Sequence, residues 1–420
     1  MSYSEQMLDA LAEGNVDQAN LLFRSVLEHD DDETKYNLAE ELYALGFTGQ
    51  AKRLYQELMG RYPDQDDIKT VLADIAVSDG DPDAALNYLS KIQPDSEAYL
   101  ESLVTAADVY QTQGMYEVSE QKLLQAQAIA PDEPVIAFAL GELYFDWGHY
   151  PQAQQAYAQL LAAGETELAG VDVQARLAAT LAQLGQYEDA IATYEADGIN
   201  QLDLNNRFQL GGLYYLVQDY RAAIDAFSGV LEQDQSFASA YLPLAQAYVA
   251  DNQPDMALET IQDGVMVDDT NPDLYALGAD LAIKAEQNDL AENYLQKALA
   301  IDPENLTNAL AWSNYLYLAE RDEDNIAFLN GLDQEGEVDP QINWNLAKSE
   351  ARLDEIDQAR EHYLLAFNRL QTQPDFLHDI IDFFQMTGAI DETKAAMQRY
   401  LQLVPDDLDM QERYDRLIAD

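Results

Sequence analysis

The chain contains no cysteine, which leaves it without a disulfide framework or thiol chemistry. No apolar run approaches the roughly 20 residues of a membrane span, and Met1 to Asn20 carries neither a basic flank nor a long apolar stretch. A secretory leader and membrane insertion are therefore not expected, and a cytoplasmic protein is the simplest reading. Bases are scarce: 22 Lys and Arg face 78 Asp and Glu, for a formal net charge of −56, and none lies between Ala222 and Ile283. Phosphate backbones and anionic lipid surfaces need clustered cations, so neither nucleic acid nor membrane is an expected partner. The acids are evenly spread, 24 against 3 bases from Leu123 to Ile283, as a solvated surface would have them rather than a dedicated tail.

Catalytic motifs are missing as well. There is no G-x-x-x-x-G-K-[ST] phosphate loop, no H-E-x-x-H pair and no Gly-rich dinucleotide turn. The four histidines (His29, His149, His362, His378) fall in different repeats or turns. His378 and Asp382 stand one helical turn apart, but a metal would need further ligands, and a surface pair is the expectation. Asp79, Asp81 and Asp83 imitate the start of a calcium loop. Pro82 interrupts it, Ala84 replaces its Gly and Ser90 its Glu, so an ordinary hairpin turn is expected. No enzyme activity, cofactor or metal is read from this chain.

What the sequence does contain is a repeat. Residues 134 to 164, PVIAFALGELYFDWGHYPQAQQAYAQLLAAG, read as two amphipathic helices broken at Gly148. Gly141 and Ala153 are small where the two backbones must approach. The break recurs at Gly14, Gly46, Gly80, Gly114, Gly148, Gly185, Gln218, Asn252, Glu286, Glu320, Asp354 and Gly388, in steps of 32 to 37 and mostly 34. Position eight of each unit is small from Ala39 through Ala347, and only Ile381 departs. Position twenty is Ala in nine of twelve units.

Leu140-Gly141-x-x-Tyr144 followed by Ala153-x-x-x-Tyr157 resembles the tetratricopeptide (TPR) signature. The resemblance implies an all-α, right-handed TPR superhelix over residues 1–420, about twelve hairpins closed by a capping helix at 406–420, and an elongated monomer. Two stretches are candidate hinges: 164–172, three residues longer than the period, and 330–340, an acidic glycine-containing exit. Pro94 should shorten the second helix of repeat three. Pro243, at position six of repeat eight, should fall inside a first helix and kink it. Asp30 to Asp32 should cap the next helix. Leu408, Tyr414, Leu417 and Ile418 should form the packing side of the last helix.

Motifs such as LAEELYALG and EQKLLQAQAIAPDEPVIAF, in about twelve divergent acidic repeats, resemble the YpiA-type cytosolic TPR proteins of bacteria. That implies an interaction role with no chemistry to carry over. In TPR proteins, first-helix positions two, five, nine and twelve line the inner face. Position nine is Glu40, Asp74, Asp108 and Glu142 in repeats two to five, and aromatics occupy positions five and twelve at Tyr36, Tyr43, Phe138, Phe145, Phe208, Tyr215, Tyr317 and Trp344. An acidic, aromatic groove suits basic or apolar peptide segments. The family's carboxylate clamp, Lys at five with Asn at nine, is not present: position five is never Lys. Arg176, Lys284, Lys348 and Arg352 make the C-terminal part of the face less acidic, so the two ends are expected to hold different partners. The expected function is a non-catalytic scaffold or adaptor for cytosolic proteins, the alternative a chaperone-like assembly factor. Glu57, Glu188, Asp225 and Glu259, on second helices, count as outer-face acids.

Overall fold

The computed structural model describes residues 2–196, 198–332 and 338–419. Among the described residues the chain forms twenty-five α-helices and one two-stranded hairpin. They fall into two compact units, Met1–Val217 and Gln218–Asp420, divided in the turn of repeat seven. Within each unit the chain is a succession of helical hairpins. The second helix of one repeat packs on the first helix of the next, as Tyr150–Ala163 does on Val173–Gln183. First helices also meet directly, as Leu306–Leu318 meets Pro340–Arg352.

All twelve breaks adopt left-handed backbone conformations, as the hairpin register requires. At Gly46 (φ +82°) the amide donates to the Tyr43 carbonyl at 3.0 Å, and the Phe47 amide donates to the Leu42 carbonyl at 2.8 Å. This pair of bonds satisfies carbonyls that the helix end would otherwise leave open. From repeat seven to repeat eleven the same conformation is imposed on Gln218, Asn252, Glu286, Glu320 and Asp354, with φ between +57° and +65°. A side chain with a Cβ resists that region by roughly 1–2 kcal/mol, while glycine gives back part of the gain through a freer unfolded chain. Glu286→Gly is therefore expected to stabilise the protein by about 0.5–1 kcal/mol, and Asn252→Gly by less, because asparagine tolerates the region better. A lower melting temperature for Glu286→Gly would contradict this account.

The small columns are where the helices close. Position eight is buried throughout, from Ala39 to Ile381, and so is position twenty, including Ser119, Asn325 and Thr393. The facing column is large: Phe23, Tyr55, Leu123, Tyr157, Tyr194, Phe227 and Tyr363 are all 4% exposed or less. A side chain of that size fits only because its partner position is small.

Other local expectations meet mixed outcomes. The second helix of repeat three is short, Pro82–Leu89, against 14 residues for Tyr150–Ala163, and a cavity of about 290 Å³ lies beside its end, lined by Leu89, Ile92, Pro94 and Tyr99. The extra residues after repeat five form a hairpin, Glu167–Leu168 paired antiparallel with Val171–Asp172, turned at Ala169 (φ +51°) and Gly170 (φ +77°). Of the second expected hinge, residues 333–337 lie outside the described residues. Pro243 does not interrupt a helix. The α-helix starts at Tyr241 after a 3-10 turn, Ala238–Ala240, so the proline occupies the first turn, where no backbone donor is needed. Asp31 caps the following helix through the Thr34 amide at 2.9 Å, whereas Asp30 turns back to the Ser4 amide and hydroxyl at 2.8 and 2.7 Å. The last helix, Leu408–Ala419, packs through Met410, Tyr414 and Leu417; Leu408 and Ile418 remain exposed, contrary to the expected packing side.

Candidate functional site

The first-helix face is stitched together by contacts between residues 31 to 35 apart. Gln111 Nε2 donates to Asp146 at 2.6 Å, Arg176 Nη2 to Glu142 at 2.7 Å and Trp344 Nε1 to Asp379 at 2.9 Å, each bond joining the first helices of successive repeats. On this face in the first unit, Glu40 and Asp108 are exposed and Asp74 is half-buried. Tyr36 and Tyr43 are half-buried beside them, and Tyr36 meets Tyr55 edge-on at 5.9 Å. Burial raises the Asp74 carboxyl above its usual range, and the nearby negative charge of Glu101 adds to it. Burial likewise raises the Tyr36 hydroxyl, followed by Glu40 and Asp67, and the Tyr43 hydroxyl, followed by Asp74. Among the described residues, no base forms an ion pair with Glu40, Asp74 or Asp108. These groups are three carboxylates without a base on successive first helices, with Tyr36 near Glu40 and Tyr43 near Asp74. Glu101, at position two of the next first helix, adds an acid outside the position-nine ladder and the aromatic positions.

The fourth acid of the ladder is differently placed. One oxygen of Glu142 accepts from Arg176 and the other from the Tyr157 hydroxyl at 2.5 Å, so both are occupied within the protein. Arg176 also lies over Phe145, 5.7 Å from its ring centre. Phe138 is 8% exposed and packs against Tyr157 in the core, which gives it a helix-packing role and almost no surface to offer a ligand. The signal that could have found this pairing is Arg176 itself, at position six of the next first helix, within one repeat of Glu142.

Phe208 and Tyr215 are half-buried, and Tyr215 lines a groove of about 510 Å³ with Tyr187, Gln209 and Gly212. In the second unit Tyr317 and Trp344 are half-buried on successive first helices. Burial raises the Asp379 carboxyl; the Trp344 hydrogen bond and the charge of Lys348 oppose that rise. The residues expected to line one face thus separate into three unpaired acids, an internally paired group around Glu142, the half-buried Phe208 and Tyr215 of the first unit, and Tyr317 with Trp344 in the second.

The apparent metal motifs have other roles. His378 Nδ1 lies 3.4 Å from Asp382, whose carboxylate also receives Arg413 at 2.5 Å. Asp79 pairs with Lys52 at 2.6 Å and Asp81 caps a helix through the Ala84 amide at 3.0 Å, as a hairpin turn would use them. His362 Nδ1 contacts the buried Glu350 at 2.7 Å, and that contact raises the imidazole above its usual value.

Comparison with known proteins agrees with the repeat. The description "YpiA-like, tetratricopeptide repeats" matches residues 111–165, and "YpiA-like, C-terminal tetratricopeptide repeats" matches residues 340–407. A general tetratricopeptide-repeat description matches residues 215–281. The TPR repeat-containing protein YpiA of Bacillus subtilis (strain 168) is 34% identical over 376 residues, which is 89% of this chain and 88% of that protein. Among solved structures, the Cut9–Hcn1 hetero-tetramer of the APC/C is similar at 13% identity over 98% of this chain and 95% of the matched chain, with a TM-score of 0.40. YrrB, a TPR protein with an unusual peptide-binding site, is similar at 20% identity over 46% of this chain and 96% of its own, with a TM-score of 0.38. With the hairpin turns, the two small columns and the Bacillus subtilis relative in agreement along the chain, the protein belongs to the YpiA-type family of tetratricopeptide-repeat proteins.

Proposed function

We propose that this protein is a non-catalytic interaction scaffold of the cytoplasm, and that the first-helix face of its first unit holds basic or apolar peptide segments of other proteins. The observation that supports this reading is the strip Glu40, Asp74 and Asp108. It carries three carboxylates without an internal base, one of them raised by burial and by a neighbouring acid, between half-buried tyrosines. Holding the Asp74 carboxylate partly out of water beside Glu101 costs stability, and a partner's lysine or arginine would relieve that cost. The tyrosines suit the apolar part of the same segment.

The test is a comparison of place at constant charge. Reversing Glu40, Asp74 and Asp108 to lysine should abolish binding of a partner recovered at low salt. The same reversal at Glu117, Glu188 and Glu259, exposed acids on second helices, should leave binding within about threefold, the small change expected of peripheral charges. Glu57 is unsuitable as a control because it pairs with the buried Lys35. The triple neutral variant Glu40→Gln, Asp74→Asn, Asp108→Asn guards against misfolding and should weaken binding at least tenfold. Equal losses from both reversals would reduce the strip to part of a solvated acidic surface.

A further inference from the structure

On the first-helix face of the second unit, position nine of repeat eleven holds a cation where repeats two to five hold acids. Lys348 is half-buried, and its Nζ lies 4.6 Å from the ring centre of Tyr317 and 5.1 Å from that of Trp344. Arg352, one turn further along, lies 3.7 Å from the Tyr317 ring centre. Its Nη1 donates to the Tyr317 carbonyl at 2.7 Å and to Asp322 at 3.3 Å, so its charge already has a partner. Lys348 has none: no carboxylate stands within 4.0 Å of its Nζ among the described residues. The carboxylate in electrostatic reach, Asp379, accepts the Trp344 indole N–H at 2.9 Å instead.

Lys348 is distinguished by a half-buried ammonium held over two rings with no carboxylate beside it among the described residues. Acids outnumber bases 78 to 22, and the two fully buried lysines have each taken one, Lys35 with Glu57 and Lys69 with Asp66, as have the half-buried Lys52, Arg176, Arg321, Arg360 and Arg413. An ammonium withdrawn from water without a counter-charge is unfavourable, and burial lowers the affinity of Lys348 for its proton accordingly. The two rings compensate in part and hold the ammonium in one place. In the same column on the preceding first helix, the exposed Asn314 has its Oδ1 engaged by Asn345 Nδ2 at 3.0 Å, which leaves its amide N–H groups to donate.

We infer that Lys348, seated on Tyr317 and Trp344 and flanked by Asn314, binds a side-chain carboxylate from an acidic and apolar segment of a partner protein. One uncompensated positive charge matches a monoanion. A dianionic phosphate would be repelled more strongly by a chain of net charge −56. The exposed parts of the two rings would pack the apolar residues next to that carboxylate. This site is in the other unit from the acidic strip and has the opposite sign, so it stands or falls separately from the proposed function.

The test uses the full chain and three octapeptides blocked at both ends, which removes terminal carboxylates: one alternating glutamate and leucine, one with glutamine for glutamate, and one with lysine for glutamate. Titrations are followed by tryptophan fluorescence at physiological salt. The glutamate peptide is expected to bind at least tenfold tighter than the glutamine peptide, and the lysine peptide should leave the Lys348 site empty. Lys348→Met, which keeps the apolar stem over the rings, should bring the glutamate peptide down to the glutamine level and leave the melting temperature equal or higher. Failure of the glutamate peptide to bind, equal binding of the glutamate and glutamine peptides, or unchanged glutamate binding by Lys348→Met would overturn the inference. A lower melting temperature for Lys348→Met would do so as well, because it would make the lysine a packing residue.

Discussion

Replacing Gly141 with valine is expected to destabilise the first unit by about 3 kcal/mol, the upper part of the range for overpacked cores. A Cβ at this position would stand 2.7 Å from Tyr157 Cε1 and 3.0 Å from Cζ. The ring cannot retreat. Tyr157 is fully buried, its hydroxyl is tied to Glu142 at 2.5 Å, and its edge meets Phe138 at 6.2 Å. Gly141→Ala meets the same contact but gains roughly 1 kcal/mol in helix propensity, so a net cost of about 1–2 kcal/mol is expected. Gly148→Ala should cost a similar roughly 1–2 kcal/mol for an unrelated reason: nothing lies within 4 Å of its Cβ, and the penalty is the left-handed backbone alone. A double-mutant cycle separates the two mechanisms. In a Tyr157→Leu background Gly141→Ala should become neutral or stabilising, whereas Gly148→Ala should cost what it cost before. If Gly141→Ala costs the same in both backgrounds, the ring contact does not explain the glycine.

Removal of Glu57 is the second substitution with a large expected effect, roughly 2–3 kcal/mol, somewhat below the penalty for breaking a fully buried ion pair because Glu57 retains some exposure. Lys35 is 2% exposed; its Nζ donates to the Leu27 carbonyl at 2.8 Å and to Glu57 at 2.9 Å. Glu57→Ala leaves that ammonium buried with one carbonyl for company. The converse change is mild, since Lys35→Met replaces a buried cation by an apolar chain of similar length while Glu57 keeps Arg61 at 2.7 Å. Lys35→Met should therefore lie within about 1 kcal/mol of the wild type and should rescue Glu57→Ala. Denaturant midpoints at constant slope measure all three variants. Equal losses from the two single substitutions would show that the pair acts symmetrically and that burial of the lysine is not what makes it costly.

The periodic features of this protein were legible in the sequence because each is specified within about half a repeat. A helix end followed by a left-handed residue needs only local hydrogen bonds, and a buried helix stripe shows in its spacing of three and four residues. That locality is why the twelve breaks, the two small columns and the short helix before Pro94 could be named from residues alone. Even the five breaks without glycine could be located, since the period carries through positions where residue type contradicts the conformation. Pro243 was misplaced because the register of the repeat assigned it to a helix interior, whereas the chain starts that helix later, at Tyr241.

Only the tertiary structure decided which members of a column remain available. Glu142 and Asp108 occupy the same position, yet Arg176 reaches across from the next first helix to neutralise Glu142 and leaves Asp108 exposed and unpaired. Phe138 and Tyr36 also share a position, and only Phe138 is drawn into the core, against Tyr157. Glu57 reads as a surface acid until Lys35 is seen beneath it. Periodicity predicts the face on which a side chain emerges. Its exposure and its charge partner depend on rotamers and on residues 19 to 34 positions away, whose approach is set by how the hairpins pack.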